Sequence, residues 1–162
     1  MNHEDLIEAL KRMPGVLAEF LRDVPEEELH RRRGRGFWTV YEHLEHLVTV
    51  QDVLYRRLVL IRDEEQPEIT PFLPEQGGSE DAAAGPRLGC EALLALYTRR
   101  RVRQVELIAA ADPSVWDKQA LHPEYERYGF AILVRHILFH DGFHLARMED
   151  LLLLRDEHLT SP

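Results

Sequence analysis

VRHILFHDGFHLARMEDLLLL, residues 134–154, carries His136, His140 and His144 at four-residue spacing inside an apolar run. At about 100° per residue, Phe130, Leu133, Ile137, His140, His144, Met148 and Leu151 share one stripe about 80° wide. That periodicity predicts a helix over roughly 128–156 with two imidazoles on its core-facing side. His136 falls at the edge of the stripe. An unpartnered buried polar ring costs about 1–3 kcal/mol, so two rings on one face call for a shared partner.

The rest of the chain also reads as helix. Asn2 can cap a first helix, with Asp5 three positions on and Leu6, Ile7 and Leu10 at helical spacing. Pro14 either kinks that helix or starts a new one running to about Asp23. In TVYE, Thr39 and Glu42 match a capping box, opening a helix over about 39–64 with Val40, Leu44, Leu47, Leu54, Leu58 and Ile61 on one side. A further helix over about 89–111 presents Leu93, Leu94, Tyr97, Val102, Val105 and Ile108. Between these two lies EQPEITPFLPEQGGSEDAAAGPRLG, residues 65–89, rich in proline, glycine and acid. Connections beyond about 15 residues are uncommon in compact domains, but parallel consecutive helices in a bundle require one. ADPSVWDKQALHPEYERYG, residues 111–129, is a second irregular stretch, in which Pro113 and Pro123 prevent one continuous helix. Four long helices and one long crossover, between the second and third, predict an all-α four-helix bundle occupying 1–162 as a single domain.

Composition narrows the function classes. Apolar residues make up 44% and charged residues 30% of the 162, an ordinary globular balance. The start, MNHEDLIEAL, lacks a basic stretch followed by an apolar one, and no apolar run reaches the ~20 residues of a bilayer span, so neither signal peptide nor membrane anchor is expected. Cys90 is the only cysteine; no internal disulfide can form, and a reducing cytoplasm is the expected location. A formal net charge of −9 argues against a nucleic-acid partner. Two basic clusters, Arg31–Arg35 within HRRRGRG and Arg99–Arg103 within TRRRVR, cut against this. They read as solvated surface or, alternatively, as patches for an anionic partner.

The helical spacing of His140 and His144 suggests what their partner is. Residues i and i+4 stack about 6 Å apart, so two imidazoles can converge on one cation at M–N distances of about 2.0–2.1 Å. The alternative is a pair of hydrogen-bonded core histidines. A third imidazole from another helix would favour the metal, and EHLEHL offers both His43 and His46. Periodicity leaves that choice open, leaning to His43, which lies nearer the apolar centre of its helix.

WTVYEHLEHL, residues 38–47, resembles the Trp–Ser/Thr–Glu–His–Leu signature of the DinB/YfiT-like metalloenzyme superfamily, in which the histidine falls eight residues after the tryptophan. Trp38 plus eight is His46, followed by Leu47. HPEYERYGFAILVRHILFHDGFHLARMEDLL, residues 122–152, is similar to the family's C-terminal segment, where a His-Pro turn leads into a helix bearing H-D-x-x-H-x-x-Q/R. The family shares its name with an unrelated DNA polymerase, and no polymerase function follows. The resemblance implies an up-down-down-up bundle, often a homodimer, with zinc or nickel as cofactor on His46, His140 and His144. Two departures stand out: Arg147 where glutamine is frequent, and Gln51 where an acid is frequent.

Three neutral imidazoles leave a divalent ion its full charge and an open position. Such an ion brings the pKa of bound water to about 7 and turns a bound thiol into a thiolate. The expected function is therefore a metal-dependent enzyme acting on a small-molecule substrate. Transfer or isomerisation with a low-molecular-weight thiol stands narrowly ahead of hydrolysis. A non-enzymatic metal-dependent ligand-binding or stress-response module is the alternative. Glu45, beside His46, is a candidate general base or else a solvated acid. Asp141, inside the apolar stripe, can orient His46 or instead pair with a buried arginine. His122, Tyr125 and Tyr128 are expected at the mouth of the site.

Overall fold

The computed structural model describes residues 2–70 and 87–159. Four long helices dominate: α1 (His3–Leu21), α3 (Val40–Asp63), α4 (Cys90–Ala109) and α6 (Phe130–Leu153), with single turns at α2 (Glu26–Leu29) and α5 (Pro113–Trp116). Among the described residues the only β-type pairings are isolated bridges, Glu68–Leu121 and Gln119–Gly129. No helix among the described residues is long and apolar enough to cross a membrane.

Local chemistry places the helix starts. The Asn2 side chain accepts the Asp5 amide at 2.7 Å. Thr39 and Glu42 close both halves of the capping box, at 3.1 and 2.7 Å. Pro14 neither ends nor splits α1, which runs through it as one helix. An interior proline costs about 3 kcal/mol. Leu6, Leu10, Leu17 and Leu21, buried on both sides of it, each contribute about 1.5–3 kcal/mol and outweigh that cost.

The core shows which way each helix runs. One apolar cluster joins Leu6 and Leu10 of α1 to Leu54, Leu58 and Ile61 of α3, Ile108 of α4 and Leu133 of α6. The other joins Leu17 and Leu21 to Val40, Leu44 and Leu47, Leu93, and Met148 and Leu151. The beginning of α1 thus shares a layer with the beginning of α6 and with the ends of α3 and α4. That is up-down-down-up. α3 and α4 run in parallel and need the long crossover, of which residues 71–86 lie outside the described residues. α3 packs against both α4 and α6, and α1 packs against the same two.

Between the two clusters lie buried polar side chains, among them Gln51, Arg101, Gln104 and Asp141. Here α4 departs from expectation. Val102 is 51% exposed, while Arg101, a member of the basic cluster expected either as solvated surface or as a patch for an anionic partner, is 1% exposed. Arg101 donates to Asp141 at 2.6 Å, and that pairing turns the helix. Other members of the basic clusters also bond within the chain. Arg33 donates to the carbonyls of Leu151 and Leu154 at the end of α6. Arg100 reaches the Val48 carbonyl and Asp52, both at 2.6 Å.

The irregular stretch before α6 is stitched to the start of the crossover: Ile69 N–H donates to Leu121 at 2.8 Å and Leu121 N–H to Pro67 at 2.9 Å. Gly129 passes so close to Lys118 that an added Cβ would collide with its carbonyl oxygen. This close approach sets where α6 begins.

Candidate metal centre

The antiparallel contact of α3 with α6 brings His46 opposite His140 and His144. His140 Nε2 lies 3.2 Å from His46 Nε2 and 3.2 Å from His144 Nε2. One ligand atom from each of the three lies within 4.8 Å of the others. Two nitrogens bound tetrahedrally to a zinc-sized ion at about 2.0–2.1 Å stand roughly 3.3–3.4 Å apart. The donor set therefore fits a divalent ion.

Electrostatics agree. Burial, reinforced by neighbouring imidazoles, pushes His140 down to about 3 and His144 down to about 2. Burial lowers His46 as well. All three rings are neutral at pH 7 and present lone pairs rather than charge.

His43, the other candidate on α3, takes a different place. Its Nδ1 lies 2.8 Å from His144 Nδ1, on the side of that ring turned away from the cluster. With His144 Nε2 as a lone-pair donor, its Nδ1 carries the proton and His43 Nδ1 accepts it. Burial pushes His43 down to about 4, with Arg147 adding to the effect, which keeps it an acceptor. Trp38 covers these rings: its centroid is 5.9 Å from His144 in a stacked arrangement and 4.9 Å from His46. Periodicity leaned to His43, which instead sits behind His144; the eight-residue spacing from Trp38 was the signal for His46.

Asp141 does not reach His46, contrary to one expectation. Its Oδ2 accepts from Tyr97 Oη at 2.9 Å and from Arg101 Nη2 at 2.6 Å. One residue past His140 is a 100° turn around α6, which aims the carboxylate at α4 instead of α3. Burial raises the Asp141 carboxyl, and Arg101 and Tyr97 oppose that rise. Glu45 is half-buried and is felt at Tyr41, whose phenol is raised by burial and then by this carboxylate. His136 stays outside the cluster, its ring 6.5 Å from that of His140. His122, Tyr125 and Tyr128 form a ring cluster beside His136, with centroids 4.7–5.5 Å apart.

The chain is similar to known proteins. The DinB superfamily model matches residues 9–148. A Bacillus mycoides protein (strain KBAB4) named "Putative metal-dependent hydrolase" is 24% identical over 145 residues, covering 90% of this chain and 82% of its own length. A Bacillus cereus protein (strain B4264) of the same designation is 23% identical over the same shares. Bacillus subtilis YfiT, described as a probable metal-dependent hydrolase with an unusual four-helix bundle topology, superposes with a TM-score of 0.79 at 21% identity, covering 92% of this chain and 85% of that one. The four-helix bundle protein TT2238 gives 0.64 at 22%, covering 91% and 98%.

Proposed function

The chain belongs to the DinB superfamily, and we propose that it is a metal-dependent hydrolase whose divalent ion, zinc or nickel, is held by His46, His140 and His144. The observation that carries this reading is the convergence of three neutral imidazole nitrogens from two antiparallel helices. The names of the relatives support hydrolysis as the reaction. When bound, the ion supplies Lewis acidity, polarising a carbonyl and making a bound water or small thiol nucleophilic near neutral pH.

The chain's own residues do the positioning. His43 holds His144 in the tautomer that points Nε2 at the cluster. Trp38 shields the rings on one side. Asp141, tied to Arg101 and Tyr97, fixes the rotation of α6 and with it the aim of His140 and His144.

The test begins with metal analysis of protein purified without a histidine tag. About one ion per chain is expected after adding Zn²⁺ or Ni²⁺, and none in His46→Ala, His140→Ala or His144→Ala. Zero stoichiometry in the wild-type protein would overturn the assignment. Esters and amides are then assayed with and without small thiols. Turnover without thiol supports hydrolysis, and turnover only with thiol makes the protein a thiol-dependent transferase.

A further inference from the structure

We propose that the groove between α1 and α6 is a docking face for a second copy of this chain, seated antiparallel on it about a two-fold axis near Gly15 and Val16. This stands apart from the metal reading above. The groove has a volume of about 900 Å³. Gly15 and Val16 line it from α1, Gly142 and Ala146 from α6, and all four are exposed. Over two turns α6 sends no charge outward: Phe139, Gly142, Phe143 and Ala146 share one exposed stripe about 100° wide. Phe139 and Phe143 are each more than half exposed, and Val16 adds 45% exposure across the groove. α6 is therefore apolar toward solvent as well as toward the core. Helices of that kind are normally covered on both sides, and contiguous exposed apolar surface marks an interaction site.

The charges name the occupant. Lys11 and Arg12 stand at one end of the groove, Glu19 and Glu149 at the other. Lys11 is tied to Glu8 and Glu19 to Arg22, both at 2.6 Å. Among the described residues, no ion pair involves Arg12 or Glu149. A two-fold axis through the middle of the groove lays each basic end on the acidic end of the other copy. Two chains of net charge −9 repel overall, so association needs a matching local field. This groove matches itself.

The register follows from α1. With the axis between Gly15 and Val16, Val16 of each copy enters the space over Gly15 of the other, and Arg12 faces the acidic end of the other copy. Arg12 and Glu19 lie seven residues apart, roughly 10 Å along the helix, so the charge pairs flank the apolar contact. The glycines fit this role. Nothing inside the chain requires them: a Cβ at Gly15 or Gly142 would meet nothing within 4 Å. Each costs roughly 0.5–1 kcal/mol against alanine in a helix interior, and what it permits is the close approach of another helix.

The test is sedimentation velocity on the full chain across a concentration series, with native mass spectrometry to count copies and urea unfolding to confirm that each variant folds. The wild-type chain should dimerise. Val16→Glu should weaken the dimer at least tenfold while metal uptake per chain stays unchanged. Gly15→Leu should weaken it too, yet leave the fold of the single chain as stable or more so, which a merely structural glycine would not do. Arg12→Glu and Glu149→Arg, each alone, set like charges face to face at both ends and should dissociate. Mixed together, these two variants should form heterodimers, because each then meets an opposite charge at both ends. A wild-type chain that stays monomeric at submillimolar concentration overturns the proposal and leaves the groove to another protein. A dimer indifferent to Val16→Glu and Gly15→Leu overturns it by placing the interface elsewhere. Failure of the mixed variants to pair overturns the two-fold arrangement on which it stands.

Discussion

His43→Ala isolates a residue that supports the centre without belonging to it. His43 is 5% exposed and sits behind a ring that is 6% exposed. Deleting its imidazole leaves the Nδ1–H of His144 without the acceptor it now has at 2.8 Å. A buried donor stripped of its partner costs about 1–3 kcal/mol. Where that cost falls on the tautomer competent to bind metal, it weakens metal affinity by roughly 10–100-fold, the range seen for groups that orient metal-bound histidines. His43→Gln, which offers an amide oxygen, should recover part of the loss, whereas His43→Phe fills the volume without an acceptor and should not. The assay is competition for Zn²⁺ against a chromophoric chelator, with urea unfolding of the metal-free proteins to separate affinity from stability. Affinity within threefold of wild type would refute the orientation argument. Complete loss of stoichiometric binding would refute it differently, by making His43 a ligand.

Four further outcomes follow from the same geometry. Asp141→Ala leaves Arg101 buried and uncompensated and should cost about 3–5 kcal/mol in urea unfolding; combining it with Arg101→Met should recover most of that loss. The metal-free protein should lose stability as pH falls from 6.5 toward 4. His43, His140 and His144 stay neutral in the fold, with values of about 4, 3 and 2, while their unfolded counterparts protonate below 6.5. Stability is therefore complete above 6.5, and each ring adds a slope of up to about 1.4 kcal/mol per pH unit below it, readable from denaturation midpoints across pH. Gly129→Ala drives a methyl into the Lys118 carbonyl and should destabilise by about 1–3 kcal/mol. Gln51→Leu removes two buried amide atoms that lack partners among the described residues and should raise stability by about 1–2 kcal/mol; a loss of similar size would show that Gln51 is satisfied.

The fold was legible wherever apolar spacing and caps spoke together. Thr39 and Glu42 marked the start of α3, and the stripe of Val40, Leu44, Leu47, Leu54, Leu58 and Ile61 is buried in full. The parallel run of α3 and α4 followed from the length of the crossover. Periodicity failed on α4, because hydrophobicity cannot rank an arginine as a core residue. Arg101 goes inside only because Asp141, forty residues later, meets it there. The site divides in the same way. His140 and His144 follow from one helix's own spacing. The choice between His43 and His46 depends on the rotation of α3 against α6, a tertiary quantity that one helix does not encode and that the signature spacing from Trp38 supplied.

The buried polar layer separating the two apolar clusters bears on why the bundle is built this way. Arg101, Gln104, Gln51 and Asp141 occupy interior positions that leucines would fill with a gain in stability. Several of their atoms, including both amide atoms of Gln51 and Nε and Nη1 of Arg101, lack partners among the described residues. Layers of this kind persist where they serve placement, and here the placement is visible. Asp141 adjoins His140 in sequence and lies one turn before His144, so its bond to Arg101 sets the angle at which α6 presents both rings to α3. A bundle repacked with leucine at these positions should be more stable, with α6 freer to rotate and a lower affinity for metal. If such a core bound metal as well as the natural one, apolar packing alone would suffice to aim the histidines.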